Sequence, residues 1–131
     1  MITLKGSYGD SSASANSQIA LDRTQGVVGD KLTISNNAVR IGNGVSKVLV
    51  TAAVFYCGSS SAFDYGWFRI NKNNTDTGYT AITYKGTSSY GTASIPLVLL
   101  DVEENDIISV FNLQSSTVRG TGSYLTVIAI G

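Results

Sequence analysis

The segment LVLLDVEENDIISVF, residues 97–111, contains two dense apolar runs separated by a short acidic turn. An antiparallel strand with one wet face alternates apolar and polar residues, because successive side chains point to opposite faces of the sheet. Here residues 97–100 are apolar without a break, and Ile107 is followed directly by Ile108. The segment therefore predicts a hairpin whose strands are apolar on both faces, and something has to cover the second face.

The rest of the chain has the pattern of an all-β protein. Apolar residues do not recur at the helical spacing of three and four, whereas valine, isoleucine, threonine and tyrosine alternate with glycine, asparagine and serine turn signals. We therefore predict one antiparallel β-sandwich or barrel domain that spans residues 1–131. Strands are expected near residues 2–5, 18–23, 31–35, 38–41, 46–57, 65–72, 79–85, 92–101, 106–113 and 123–130.

Two further predicted strands, 46–57 and 123–130, share the doubly apolar pattern of 106–113. A two-sheet sandwich buries only the inner face of each sheet. Leaving the outer face wet would forfeit about 1.5–3 kcal/mol for each large apolar side chain. The simplest cover is another copy of the chain, and a closed barrel or cover by the longer loops is the alternative.

Composition excludes several classes of function. Histidine is absent, so Ser–His and Cys–His triads cannot form within this chain, and the commonest metal ligand is missing. Nine Lys and Arg residues balance nine Asp and Glu residues without any basic run, so we expect no nucleic-acid partner.

No stretch is long enough to cross a bilayer, so we expect no membrane insertion. The start MITLKGSYGD lacks the pattern of a secretory signal, which predicts synthesis in a cytoplasm and exit by another route.

Acidic residues offer a catalytic and a structural interpretation. The acidic turn could supply a glycosidase carboxylate pair or a calcium site, but catalytic carboxylates normally lie in a cleft, which favours a solvated turn. The four residues of this turn are Asp101, Glu103, Glu104 and Asp106. NKNNTDTG, residues 71–78, spaces oxygen ligands around Asp76 but lacks the glutamate of a calcium loop. We predict no catalytic residue, no metal and no cofactor.

Aromatic and amide side chains in and after the loop CGSSSAF, residues 57–63, would suit a sugar-binding surface, because aromatic rings stack on the apolar face of a pyranose. The alternative, which ordinary packing favours, is that Tyr65 and Trp67 belong to the core. The candidate receptor- or glycan-binding residues are Phe63, Tyr65, Trp67, Asn71, Tyr79 and Tyr90.

Four segments resemble strands of the tumour necrosis factor and complement globular-head superfamily. GNGVSKVLVTAAVFY (42–56) occupies the place of its pGvYxfs strand, and FRINKNN (68–74) resembles its strand ending in an asparagine-rich turn. SIPLVLLDVEENDIISVFN (94–112) resembles its vxLxxGDxVxv hairpin, and SYLTVIAI (123–130) its terminal strand. The match spans 40–131 in order, while 1–39 matches only loosely. Asn105 replaces the hairpin glycine, and asparagine also tolerates the left-handed conformation that the turn needs.

The resemblance implies a jelly-roll sandwich that forms compact homotrimers. The family's inner sheet, around the threefold axis, includes the strands that correspond to 46–57, 106–113 and 123–130. The candidate trimer-interface residues are Leu49, Phe55, Ile108, Val110, Tyr124 and Ile128.

Loop composition and low charge resemble bacterial and bacteriophage members of this superfamily. The resemblance implies a non-enzymatic trimeric domain of a phage tail, baseplate or head-fibre tip, located in the virion. Its partners would be host-surface polysaccharide or other virion proteins. A monomeric carbohydrate-binding module and a tip domain of a bacterial spore or cell surface are the alternatives.

Overall fold

The computed structural model describes residues 1–57, 65–84 and 90–131, and these residues are organised into β-strands. The strands in these ranges are β1 (Ile2–Lys5), β2 (Asp10–Ala13), β3 (Ser17–Gln18), β4 (Arg23–Val27), β5 (Leu32–Ser35), β6 (Ala38–Ile41), β7 (Lys47–Cys57), β8 (Tyr65–Lys72), β9 (Thr75–Tyr84), β10 (Tyr90–Asp101), β11 (Ile107–Asn112) and β12 (Ser116–Ala129). None of the described residues belongs to a helix that is long and apolar enough to cross a membrane.

The strands form two antiparallel sheets. Sheet A has the order β10-β7-β12-β1-β4, and β2 pairs with the beginning of β12. Sheet B has the order β5-β6-β11-β8-β9, and β3 pairs with the end of β11. The first and last strands of the chain, β1 and β12, are antiparallel neighbours in sheet A. The predicted antiparallel sandwich is confirmed.

Asparagine residues make the tight turns. Asn36 and Asn37 join β5 to β6, Asn73 and Asn74 join β8 to β9, and all four have positive φ angles. Two-residue hairpins with both φ angles positive match the right-handed twist of the strands. Asn105, before β11, has a φ of 72°, which confirms that asparagine takes the left-handed conformation in the acidic turn.

The core lies between the sheets and is built from alternate residues of the central strands. Its inward-facing side chains, all less than 2% exposed, include Val48, Val50, Leu125 and Val127 from sheet A and Phe68, Ile70, Ile108 and Val110 from sheet B. They belong to one contiguous apolar cluster, so the two sheets pack face to face.

β11 lies in sheet B, so the prediction that 106–113 shares a sheet with 46–57 and 123–130 is wrong. Ile108 and Val110 are at most 1% exposed and contribute to the core, so they cannot contact another copy of the chain. The outward face of β11 is only partly covered within its own chain, because Ser109 is buried there while Ile107 and Phe111 are partly exposed. An apolar pattern on both faces shows that a strand is covered, but not which sheet it joins.

β12 begins at Ser116, well before the predicted strand at 123–130. Its first part pairs with β2, and its register against β7 then shifts between Arg119 and Tyr124. Ser123 bridges this irregularity, since its hydroxyl accepts a hydrogen bond from the Phe55 amide and donates one to the Arg119 carbonyl, each 2.9 Å long.

The predicted strand at 18–23 is divided in the structure. β3 ends at Gln18 and β4 begins at Arg23, while Ile19 and Leu21 between them are buried core residues. Their alternating burial is what the sequence pattern detected. β2 was not predicted, and β9 begins at Thr75 rather than at residue 79.

Candidate functional site

The outer face of sheet A carries an apolar row across three adjacent strands. Leu99 on β10 lies opposite Leu49 on β7, and Leu49 lies opposite Ile128 on β12. Leu99 is 48% exposed, and the other two side chains are partly buried. The sheet packs its opposite face on the core, so this row faces away from the chain's own interior.

Next to the apolar row lies a row of three threonines, Thr51, Thr126 and Thr3. The hydroxyls of Thr3 and Thr126 hydrogen-bond to each other at 2.8 Å, and the Thr51 hydroxyl donates to the Ile95 carbonyl at 2.8 Å. Each hydroxyl therefore already has a partner within the chain. Covering this row would leave none of the three hydroxyls unpaired.

At the far end of sheet A, aromatic and charged side chains form a cluster. The Phe55 and Tyr90 rings lie 4.9 Å apart, and the Arg119 guanidinium lies 5.7 Å from the centre of the Tyr90 ring. The Tyr90 hydroxyl donates to Asp10, and this hydrogen bond raises the pKa of Tyr90 above its ordinary value of 10.0. Tyr124, which is exposed, lies between Ala53 and Lys5 on the same sheet.

Four of the six predicted interface residues thus belong to sheet A. Leu49, Phe55, Tyr124 and Ile128 alternate with its core residues and lie on the outer face. Their contact with another copy stays a prediction. Ile108 and Val110 do not join them, because both lie in the core.

The outer face of sheet B carries a pocket of about 230 Å³. The residues that line it are Trp67 and Arg69 on β8, Asp76, Gly78 and Thr80 on β9, Leu113 after β11, and Asn16 before β3. The Trp67 indole Nε1 donates to the Thr80 hydroxyl at 2.8 Å, and that hydroxyl donates to the Phe68 carbonyl at 2.9 Å. The Arg69 guanidinium and the Asp76 carboxylate are separated by 3.7 Å.

The predicted glycan-binding residues do not form one surface. Tyr65 lies near Trp67, with its ring 5.7 Å from that of Tyr84. Tyr79 lines a different groove, beside Leu99, and Tyr90 lies on sheet A. Phe63 lies outside the described residues.

The prediction that Asn71 contacts a glycan is wrong, because the residue is fully buried and a ligand could not reach it. Its Oδ1 accepts a hydrogen bond of 2.7 Å from Arg69 Nε and so holds the guanidinium. Its Nδ2 has no hydrogen-bond partner among the described residues.

The acidic turn is held by hydrogen bonds within the chain. The two carboxylate oxygens of Asp106 accept from the Glu103 amide at 2.8 Å and from Asn73 Nδ2 at 2.7 Å. Asp101 pairs with Lys47 at 2.5 Å, and this contact lowers the pKa of Asp101 below 3.8. These contacts are those of a structural turn.

Arg69 and Thr80 were not predicted as site residues. They lie opposite each other on β8 and β9, and beyond them the register shifts so that Asn71 faces Asp76. This irregularity brings Asp76 towards Arg69. Residue spacing in the sequence does not reveal such a shift, although the glycine of TDTG, which has a φ of 87°, is a signal of a bulge.

The two sheets and their strand order form a TNF-like jelly roll. Solved structures similar to this chain include Eiger TNF from S. frugiperda, with a TM-score of 0.78 and 10% identity over 99% of this chain and 91% of that one. Murine APRIL has a TM-score of 0.75 and 12% identity over 98% of this chain and 97% of that one. The globular domain of zebrafish complement 1qA has a TM-score of 0.75 and 8% identity over 99% of this chain and 96% of that one. No protein-family model matches the chain, and no curated protein matches it either. At these identities the likeness establishes the fold.

Proposed function

We propose that this chain is a non-enzymatic binding domain that works as a homotrimer in a bacteriophage virion. In the tail, baseplate or head-fibre tip, it would attach the particle to host-surface polysaccharide or join other virion proteins. The observation that carries the proposal is the outer face of sheet A, where an apolar row lies beside hydroxyls that are already paired.

The energetics of this face favour a protein partner. Full burial of a fully exposed large apolar side chain contributes about 1.5–3 kcal/mol. Covering Leu99, which is 48% exposed, would contribute about half of that, and covering the partly buried Leu49 and Ile128 would contribute less. The adjacent threonines reduce the desolvation penalty, because each hydroxyl has a hydrogen-bond partner within the chain. A second copy of the chain offers apolar surface of the same kind, notably the exposed Leu97 on the edge strand β10.

The fold supports three copies rather than two. The resemblance implies a threefold arrangement around the sheet that contains 46–57 and 123–130, and these segments are β7 and β12 of sheet A. The apolar row therefore lies on the sheet that the trimer would place near its axis.

A non-enzymatic role agrees with the chemistry of the chain. Histidine is absent from the sequence, and Asp101 and Asp106 of the acidic turn are engaged by Lys47, Asn73 and the Glu103 amide. The low charge and the polar, glycine-rich loops support the phage type.

The association is tested with two substitutions that introduce the same charge at equally exposed positions. Leu99→Glu changes the apolar row of sheet A, and Ile82→Glu changes sheet B, where Ile82 is 49% exposed. Light scattering after size-exclusion chromatography should give a trimer for the unmodified chain and for Ile82→Glu, but a monomer for Leu99→Glu. A monomeric unmodified chain at micromolar concentration would contradict the proposal.

The placement in a virion has its own test. Capsid, tail or lysis genes on either side of the coding sequence would support it, whereas spore-coat genes would favour a spore-surface tip domain.

A monomeric carbohydrate-binding module is the second candidate. The exposure of Trp67 and Tyr84 on the outer face of sheet B favours it. It predicts glycan binding by a chain whose mass is that of a monomer, so the same light-scattering experiment separates the two candidates.

A further inference from the structure

We infer that the pocket between Trp67, Arg69 and Asp76 binds a neutral pyranose ring through two adjacent hydroxyl groups. This inference rests on the proposed attachment to polysaccharide, and it assigns the place and the sugar class. Trp67 and Arg69 lie on the outer face of sheet B, and Asp76 also lines the neighbouring groove that reaches Leu99 of the apolar row.

The Trp67 ring is held in position as a stacking surface. It is 37% exposed, and its only polar atom, Nε1, already donates to Thr80. Thr80 is itself fixed by its bond to the Phe68 carbonyl, so it positions the ring without occupying the exposed face. A sugar that stacks here covers apolar ring surface and leaves no indole N–H unpaired.

Arg69 and Asp76 supply a donor and an acceptor side by side. Arg69 Nε is used by Asn71, while its terminal nitrogens have only the 3.7 Å contact with Asp76 among the described residues. One Asp76 oxygen accepts from the Gly78 amide at 2.7 Å, and the other faces Arg69. The guanidinium and this second oxygen therefore retain hydrogen-bonding capacity towards the pocket.

Adjacent hydroxyls of a pyranose match this pair. Each hydroxyl both donates and accepts, so one can accept from Arg69 while its neighbour donates to Asp76. A sugar carboxylate would approach Asp76 with like charge, and an ammonium group would approach Arg69 with like charge. The pair therefore favours a neutral sugar over either charged class.

The size of the pocket points to one sugar ring and to weak binding at each site. Its volume of about 230 Å³ is below the range of roughly 300–1,000 Å³ that is typical of drug-sized ligands. Because the outer faces of the two sheets point in opposite directions, a trimer built on sheet A would leave three such pockets accessible. Simultaneous engagement of a repeating polysaccharide would raise the avidity.

Trp67 is the only tryptophan of the chain, so its indole N–H signal in a ¹⁵N–¹H NMR spectrum reports on this pocket without ambiguity. The probes are the methyl α-glycosides of glucose, galactose and mannose, together with methyl α-glucuronide, which differs from the glucoside by a carboxylate. We expect a saturable shift of the indole signal with at least one neutral glycoside and no saturable shift with the glucuronide.

Two variants that keep the reporter complete the experiment. Asp76→Asn retains the acceptor for Gly78 but removes the charge, and it should weaken binding at least about 10-fold, as expected for loss of a hydrogen bond to a charged group. Asp30→Asn removes the same charge at an exposed position that does not line the pocket, and it should leave binding unchanged.

Three results would overturn the inference: no saturable shift with any of the neutral glycosides, equal binding of the glucuronide, or full binding by Asp76→Asn. The mass of the same samples separates this inference from the proposed function. If the chain is a trimer but binds none of the glycosides, only the sugar site is contradicted. If the chain is a monomer that binds one of them, the trimeric role is contradicted and the sugar site is supported.

Discussion

Gly6 and Gly120 lie with their backbones in direct contact where the chain leaves β1. The Gly6 amide donates to the Gly120 carbonyl at 3.1 Å, and a Cβ atom on Gly6 would lie 2.4 Å from the Gly120 Cα. Gly6 belongs to KGSYG and Gly120 to RGTGSY, so two similar sequence phrases meet in space. Neither backbone can withdraw without disturbing the start of the irregular part of β12.

We expect Gly6→Ala to lower the free energy of unfolding by about 1–3 kcal/mol, because the new methyl group overlaps backbone atoms that cannot rotate away. Chemical denaturation measures the loss. Gly9→Ala is the matched control, since a Cβ there meets no heavy atom of the described residues within 4 Å, and it should change stability by less than about 0.5 kcal/mol. Equal losses in the two variants would contradict the role of the contact.

We expect Asp106→Ala to lower the free energy of unfolding by about 1–3 kcal/mol, because the Glu103 amide and the Asn73 side chain both lose their acceptor. Thermal unfolding followed by circular dichroism measures the effect. Glu104→Ala, at an exposed position of the same turn, should change the midpoint little. If the Glu104 variant lost as much stability as the Asp106 variant, the turn would have to be stabilised by its charge and not by these bonds.

We expect Asp22 to contribute to the stability of the folded chain, and we expect this contribution to be lost in acid. Hydrogen bonds from the Ser7 hydroxyl, at 2.6 Å, and from the Ser7 amide, at 2.8 Å, lower the pKa of Asp22 below its ordinary value of 3.8. The contribution is therefore present above pH 3.8 and disappears as the pH falls through the lowered pKa of the folded chain. In Ser7→Ala we expect the Asp22 pKa, measured by NMR titration of the carboxyl carbon, to rise towards 3.8. An unchanged pKa would show that the hydroxyl is not its main cause.

Much of the fold could be predicted because local chemistry and tertiary structure agree in most strands. β7 and β8 lie close to their predicted bounds, and the left-handed Asn105 makes the expected turn. Each of these features depends on residues close in sequence, either on alternation along a strand or on the conformational tolerance of one residue.

The errors concern features that depend on distant parts of the chain. β2 has the sequence DSSA, with no apolar alternation, and it is a strand only because β12 pairs with it. The position of β11 in sheet B likewise follows from its partners β6 and β8, which its own residues do not identify. Alternation predicts that a segment is a strand, but its neighbours decide the sheet.

Of the residues that line the candidate site on sheet B, Trp67 alone was among the predicted glycan-binding residues. Arg69 and Asp76 approach each other because β9 carries extra residues opposite β8, and the buried Asn71 holds the guanidinium from one side. A polar residue that positions another cannot be distinguished in sequence from one that contacts a ligand, which explains why Asn71 was assigned to the wrong role.

We propose that three copies of the chain associate through the apolar outer face of sheet A. Sedimentation equilibrium of the unmodified chain over a range of concentrations tests this association most directly. We predict a single species at three times the 13.8 kDa mass of one chain at micromolar concentration. A species of 13.8 kDa throughout that range would show that a single copy leaves Leu49, Leu99 and Ile128 uncovered in its native state, and it would contradict the account.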